Sequence, residues 1–253
     1  MVVLRWYEVR RTRLRRFRQD RIAAARQWRF SVPAEYGALL AMTDAPIVLI
    51  FAHPYPDRSI ANRALLEAVE DLEGVKVRSL YDLYPTFDID VSAEQETLRQ
   101  ARVLVLQHPL YWYSVPSLLK HWFEKVLTRG FAYGPGGKAL WGKRCLWAVT
   151  TGGDQQAFSN SGMHGRPFQE FSPVVEQTAL FCGMTWEEPL IVHGAHRLAR
   201  EQLALTARSY RERVAALARR AAAGPPELGR EPADGSERPR AGGSTRAGER
   251  RAT

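Results

Sequence analysis

The sequence predicts an α/β fold in which helices cover both faces of a parallel β-sheet. Short apolar runs rich in β-branched residues alternate along the chain with longer segments whose apolar residues recur every three or four positions. The apolar runs are nearly continuous, as expected for strands that are buried on both faces. Alternating strands and helices form right-handed βαβ units, so we expect a doubly wound single domain.

Five strands and five helices are predicted in this domain. The strands are expected at 47–52, 75–80, 102–108, 144–151 and 189–193. The helices are expected at 59–72, 93–101, 117–127, 168–181 and about 198–222. A five-stranded parallel sheet of this kind is typical of a flavodoxin-like architecture, in which ligands bind beyond the carboxyl ends of the strands. The loops after the first, third and fourth strands are therefore the expected binding loops.

The net charge of +9 is unevenly distributed. Residues 1–41 contain ten arginines against three acidic residues, whereas residues 42–223 are close to neutral. Because the central segment has little excess positive charge, nucleic-acid binding is not favoured as the main function. Three interpretations of residues 1–41 stay open: translated sequence upstream of a start at Met42, a disordered basic arm, or an amphipathic helix that lies on anionic lipid.

Residues 224–253 are predicted to be a disordered tail, because they contain many Gly, Pro, Arg and Glu residues and few apolar ones. The folded domain is accordingly expected to span 42–223. No apolar stretch is long enough for a membrane span, and arginines interrupt any secretory signal. Cys145 and Cys182 lie in apolar segments and are expected to be buried free thiols in a reducing cytoplasm.

The loop after the first strand has the features of a phosphate site. His53 stands at the strand exit, Ser59 begins the next helix, and Asn62 follows three residues later. The first turn of a helix offers unpaired backbone N–H groups and the positive end of the helix dipole, which suit a phosphate. Taken alone, Ser59 is more typical of a plain helix N-cap, and His53 of a surface or capping histidine.

Two further loops complete the predicted site. Residues 111–113 after the third strand are three consecutive aromatic residues, which suit either the wall of a planar ligand or a core or dimer contact. Residues 150–153 (TTGG) after the fourth strand form either a simple turn or a surface that a ligand approaches closely, since glycine has no side chain. A phosphate pocket, an aromatic wall and a glycine floor at one sheet edge together indicate flavin mononucleotide (FMN).

Other kinds of site are not favoured. The remaining histidines form no HExxH pattern and no pairing with cysteine, so no metal site is predicted. The glycine pattern of a dinucleotide-binding turn, a P-loop and the GxSxG elbow of serine hydrolases are also missing from the sequence.

Three stretches resemble the NAD(P)H:quinone oxidoreductase family: AHPYPDRSIAN (52–62), QHPLYWYSVPSLLKHWFEKVL (107–127) and TTGG (150–153). Three more are similar to its bacterial branch, the ancillary proteins of glutathione-gated potassium efflux: LYDLYPTFDIDVSAEQ (80–95), RGFAYGPGG (129–137) and LWAVTTGG (146–153). The resemblance covers roughly residues 47–220.

The resemblance implies a flavodoxin-like homodimer that binds FMN rather than FAD and reduces quinones by two-electron, ping-pong hydride transfer from NAD(P)H. For the bacterial branch it also implies docking on the cytoplasmic domain of a potassium-efflux antiporter, at the inner face of the membrane. A regulatory subunit of such an antiporter that binds flavin without catalysis is the alternative.

The resemblance also implies roles for individual residues. Those that would hold the phosphate and ribityl chain are His53, Ser59, Ile60, Ala61 and Asn62. Those that would hold the flavin ring are Leu110, Tyr111, Trp112, Tyr113, Thr150, Thr151, Gly152 and Gly153. His164 matches a catalytic histidine of the family's mammalian members. Phe158 stands where those members have a tyrosine, and phenylalanine cannot donate a proton.

Overall fold

The structure, a computed structural model, describes residues 47–222. All strands of its six-stranded sheet are parallel and follow the order β2-β1-β3-β4-β5, with β6 also paired to β4. The strands are β1 (Ile47–Phe51), β2 (Val75–Ser79), β3 (Val103–Pro109), β4 (Arg144–Thr150), β5 (Thr185–Trp186) and β6 (Leu190–Val192). The predicted flavodoxin-like α/β class is confirmed. The predictions for residues 1–41 and 224–253 lie outside the described residues.

Helices cover both faces of the sheet, as predicted. They are α1 (Ile60–Glu67), α2 (Leu80–Leu83), α3 (Val91–Gln100), α4 (Ser117–Val126), α5 (Pro173–Phe181) and α6 (Arg200–Ala222). Residues of α1 and α6 pack into one hydrophobic core, and residues of α2 to α5 pack into the other. Strand β1 contributes to both, since Leu49 belongs to the first core and Val48 and Ile50 to the second. Its continuous apolar run follows from this double burial.

Helix α1 ends five residues before the predicted Leu72. Beyond Glu67 the backbone closes tighter turns, in which Val69 N–H bonds to Leu66 O and Leu72 N–H to Val69 O. Val69 is still fully buried, so the apolar spacing persists although the regular helix has ended. The spacing therefore predicted the buried face correctly and the helix end incorrectly.

Three further differences concern one helix and two strands. The predicted helix 168–181 is divided into a 3₁₀ turn at Phe168–Glu170 and α5, because Pro173 has no N–H to bond to an earlier turn. The predicted fifth strand, 189–193, is observed as β6, whereas β5 at Thr185–Trp186 is a sixth strand that was not predicted. Both pair with β4, and Pro189 in the gap cannot donate to the ladder. The predicted second strand ends one residue early, at Ser79, because Leu80 begins α2.

The two cysteines have the predicted state. Cys145 and Cys182 are free and buried, and burial raises the pKa of Cys182 to about 11. Within residues 47–222, no helix combines the length and the apolar character that crossing a membrane requires.

A buried histidine–tryptophan pair joins β3 to β4 near the edge where both strands end. The Trp147 indole N–H donates to Nε2 of His108 at 2.7 Å, and Nδ1 of His108 lies 2.9 Å from the Pro109 carbonyl oxygen. Nε2 thus accepts and Nδ1 carries the proton, which fixes a neutral imidazole. Burial lowers the pKa of His108 to about 4.

We predict that acid destabilises the protein through His108. Its pKa falls from 6.5 to about 4 on folding, so the unfolded chain binds a proton first as the pH decreases. The contribution of the neutral ring to the free energy of unfolding is fully present above pH 6.5 and is lost as the pH falls through 4. The free energy of unfolding, measured by chemical denaturation, should decrease by about 3 kcal/mol across this range.

The control variants are His108→Gln, which removes the titrating group, and His121→Gln, which removes a partly exposed histidine of α4. The first should flatten the pH dependence in this range, and the second should preserve it. A His108→Gln variant as sensitive to pH as the wild type would contradict the prediction.

Candidate functional site

A cavity of about 300 Å³ opens at the sheet edge where β1, β3 and β4 end. The segments that follow these three strands form its wall together with a fourth segment after β6. Ten predicted cofactor-binding residues line the cavity: His53, Ser59, Ile60, Ala61, Asn62, Leu110, Tyr111, Thr150, Thr151 and Gly152. The predicted residues Trp112, Tyr113, Gly153 and His164 are not among its lining residues. The three predicted loops therefore converge on one cavity.

The charge of the cavity wall suits an anion. Arg58 contributes a guanidinium group, and His53 and His196 contribute imidazole rings. Of the residues that the structure describes, no aspartate or glutamate lines this cavity. Arg58 is not among the predicted binding residues, although it lies within the first binding loop, directly before Ser59.

The start of α1 faces the cavity with its first turn. Ser59 is the N-cap, and its Oγ accepts the backbone N–H of Asn62 at 3.2 Å. The backbone N–H groups of Ile60 and Ala61, which lie between Ser59 and Asn62, have no acceptor within the helix, as at any helix start. Ser59 thus acts as an N-cap at the edge of the cavity, so the plain interpretation and the binding interpretation of this residue coexist.

Asn62 is 1% exposed, and its side chain joins two of the converging loops. Its Nδ2 donates to Thr150 Oγ1 at 2.7 Å and to Ser59 Oγ at 3.2 Å. Both amide hydrogens are therefore bonded within the protein, whereas the sequence suggested a donor to phosphate. Its Oδ1 has no hydrogen-bond partner among the described residues. The geometry makes Asn62 a link between the first loop and the end of β4.

His53 lies at the end of β1 with a defined protonation state. Its Nδ1 accepts the backbone N–H of Tyr55 at 3.0 Å. Burial lowers the pKa of His53 below 6.5, so the ring is neutral near pH 7. The remaining proton is on Nε2, where it can be donated to a ligand.

The aromatic segment after β3 forms a tight turn. Tyr111 and Ser114 exchange two backbone hydrogen bonds of 3.0 Å each. Trp112 and Tyr113 between them have φ values of 49° and 61°, the left-handed conformation that residues other than glycine rarely adopt. This turn keeps Tyr111 at the cavity and leaves Trp112 94% exposed. The four predicted residues 110–113 are thus divided between cavity wall and outer surface.

The two glycines after β4 have different surroundings. A Cβ atom added to Gly152 would meet nothing within 4 Å, and Gly152 lines the cavity. A Cβ atom added to Gly153 would come within 2.9 Å of Nε2 of His164 and 3.1 Å of the Phe158 ring. Gly152 therefore leaves open space at the cavity, whereas Gly153 permits close packing behind it.

A segment after β6, which the sequence analysis did not assign, is the fourth wall. Ala195 and His196 line the cavity. Backbone bonds attach the segment to the β4 loop, from Ala195 N–H to Thr151 O at 2.9 Å and from Gly194 N–H to Gly153 O at 2.8 Å. The rule that parallel strands end at one edge, applied to the fifth predicted strand, would have identified this segment.

The predicted catalytic residue His164 lies beside the cavity wall in an aromatic cluster. The Phe158 ring is 4.2 Å from the His164 ring, and Phe158 is buried. The Tyr113 hydroxyl lies 3.4 Å from Nδ1 of His164. A phenolic hydroxyl therefore reaches His164 from the β3 loop, and the buried ring next to His164 is that of Phe158.

Comparisons with known proteins agree with this architecture. The sequence profile of a family described as having a flavodoxin-like fold matches residues 45–214. The glutathione-regulated potassium-efflux system ancillary protein KefF of Salmonella typhimurium is 50% identical over 170 residues, which cover 67% of this chain and 96% of that protein.

Two crystal structures are also similar. That of general stress protein 14 from Treponema denticola in complex with FMN is 35% identical with a TM-score of 0.65, and the match covers 68% of this chain and 98% of that chain. That of an NADPH-quinone reductase from P. pentosaceus is 30% identical with a TM-score of 0.61, covering 66% and 96%. The chain thus belongs to the flavodoxin-like family, in the group that contains the ancillary proteins of glutathione-regulated potassium-efflux systems.

Proposed function

We propose that this protein is an FMN-dependent NAD(P)H:quinone oxidoreductase. The observation that carries the proposal is the cavity itself, in which the start of α1 and Arg58 lie near the open space that Gly152 leaves. The FMN complex of the Treponema protein and the reductase name of the P. pentosaceus protein support the same assignment. No single residue of the site would indicate this function alone.

The residues of the first loop fit the phosphate of FMN. The N–H groups of Ile60 and Ala61 and the guanidinium of Arg58 are donors, and the positive end of the α1 dipole adds to them. The Nε2 proton of His53 supplies one further donor. Because no carboxylate lines the cavity within residues 47–222, nothing there opposes a dianion.

The opposite wall fits a planar ring. Leu110 and Tyr111 supply an apolar side, and Gly152 leaves its space unfilled. When bound, FMN supplies the carrier that takes a hydride from NAD(P)H and passes it to a quinone. The protein itself binds and orients the flavin ring. Thr150 and Thr151 hold the β4 loop in place. His164, beside this loop, is the proposed catalytic residue that holds a proton.

We further propose that the protein acts as an ancillary regulator of a glutathione-gated potassium-efflux antiporter, docked as a homodimer on its cytoplasmic domain. The 50% identity to KefF supports this role, because it extends over 96% of that protein. Trp112 and Met163 are 94% and 81% exposed near the site, and large exposed apolar side chains of this kind suit a protein–protein contact.

A second candidate is a regulatory subunit that binds flavin without turnover. Phe158 favours it, because this buried ring cannot relay a proton. The Tyr113 hydroxyl beside His164 favours the enzyme instead.

We predict that the purified full chain is yellow, that NADPH bleaches it, and that menadione then restores the colour. The visible absorption spectrum after each addition measures these steps under exclusion of air. A colourless protein that stays colourless after incubation with FMN would contradict the proposal. A yellow protein that neither NADH nor NADPH bleaches would identify the non-catalytic candidate.

The same measurement on His164→Gln tests the catalytic residue. Turnover of menadione should decrease by about a hundredfold, at the lower end of the range for lost proton-transfer catalysis, while the flavin content is unchanged. The control is His121→Gln on α4, outside the cavity lining. Equal turnover in the wild type, His164→Gln and His121→Gln would make His164 an ordinary loop histidine.

We predict that Gly152→Val lowers the flavin content of the purified protein strongly and that Gly152→Ala lowers it less. Each side chain would occupy the open space at the cavity without meeting protein atoms at Cβ, so thermal stability without flavin should change little. The ratio of flavin absorbance to protein measures the effect. Ala204→Val on the exposed side of α6 is the control for added volume, and full occupancy in Gly152→Val would contradict this placement.

We predict that the purified protein binds the isolated cytoplasmic domain of a glutathione-gated potassium-efflux antiporter with micromolar or tighter affinity. Trp112→Ala should weaken this binding, because it removes the most exposed large apolar side chain among the described residues. Leu205→Ala, which removes an apolar side chain of α6 that is 68% exposed, is the control. Calorimetric titration that detects no binding of the wild type would contradict the ancillary role.

A further inference from the structure

A chain of buried hydrogen bonds leads from the last helix to the cavity. The Tyr210 hydroxyl of α6 donates to Oε1 of Gln107 on β3 at 3.1 Å. Nε2 of Gln107 donates to the main-chain carbonyl of Asn62 at 2.8 Å. The amide of Asn62 then donates to Thr150 and Ser59 at the cavity wall. Four segments of the fold are thereby connected through side chains.

The direction of the first two bonds in this chain is fixed. The carbonyl of Asn62 can only accept, so the amide nitrogen of Gln107 must face it. The amide oxygen of Gln107 then faces Tyr210, whose hydroxyl must donate. Tyr210 and Gln107 are fully buried, so water does not compete for these groups. Burial also raises the pKa of Tyr210, which keeps the hydroxyl protonated.

The chain ends on the residue that holds the first turn of α1 in place. Asn62 is bonded at three points: its N–H to Ser59, its carbonyl to Gln107, and its amide to Thr150. The two N–H groups proposed to bind phosphate belong to the residues directly before it, Ile60 and Ala61. Their orientation therefore depends on where Asn62 is held.

We propose that Tyr210 and Gln107 are positioning residues that hold Asn62, and with it the first turn of α1, in the conformation that binds the FMN phosphate. This inference rests on the proposed flavin function and extends the binding site to a residue of α6. Neither residue lines the cavity, so both act through Asn62.

The test compares two ligands that differ only in the phosphate. Dissociation constants for FMN and for riboflavin are measured by quenching of flavin fluorescence in the flavin-depleted full chain. Tyr210→Phe should raise the dissociation constant for FMN about tenfold, the equivalent of one misplaced hydrogen bond, and that for riboflavin much less. Gln107→Met, which keeps the side-chain length without the amide, should have the same effect.

Tyr84→Phe is the matched control. It also removes a buried tyrosine hydroxyl, which donates to Oε1 of Glu94 at 2.6 Å, in a cluster that does not line the cavity. It should lower thermal stability as Tyr210→Phe does and leave the preference for FMN over riboflavin at the wild-type value. A merely structural role of Tyr210 would give both tyrosine variants the wild-type preference.

The outcomes separate the two proposals. A wild-type protein that does not bind FMN overturns the proposed function. A wild-type protein that prefers FMN, with the same preference in Tyr210→Phe and Gln107→Met, overturns the positioning role alone. A reduced preference in these two variants and not in Tyr84→Phe supports it.

Discussion

The parallel register of β1, β3 and β4 is the constraint on which the site depends. It places Phe51 beside Gln107 and Pro109 beside Thr150, so the three strands end at one edge within a few residues of each other. Each following loop then enters the same space, and a cavity forms without any long insertion. The apolar runs that bury the strands on both faces thus also bring the binding residues together.

Buried polar contacts adjust what the sheet brings together. Asn62 connects the first loop to the end of β4, and His108 connects β3 to β4 through Trp147. Such groups are costly to bury unless they are bonded, so each contact permits one arrangement of its partners and excludes others. The cavity wall consequently combines main-chain donors with side chains that buried hydrogen bonds hold in position.

Much of the fold and of the site could be predicted because it depends on local patterns. Continuous apolar runs identified the strands, and Ser59 identified the start of α1. The division of the predicted helix 168–181 followed from Pro173, which is visible in the sequence but was outweighed by apolar spacing. The fourth cavity wall was missed because only the loops after the first, third and fourth strands were expected to bind, although the fifth predicted strand ends at the same edge.

Other features depend on tertiary contacts that no local pattern reports. The left-handed turn at Trp112 and Tyr113 lacks the Gly, Asn or Asp residues that usually mark such a conformation. The approach of the Tyr113 hydroxyl to His164 and the bonds from Tyr210 to Gln107 join residues far apart in sequence. Only the folded chain brings these residues together.

A crystal structure of the full chain grown with FMN is the decisive test of the proposed site. We expect the phosphate within hydrogen-bonding distance of the Ile60 and Ala61 N–H groups and the ring against the main chain at Gly152. Flavin density in another part of the molecule, or a phosphate bound away from the start of α1, would contradict it.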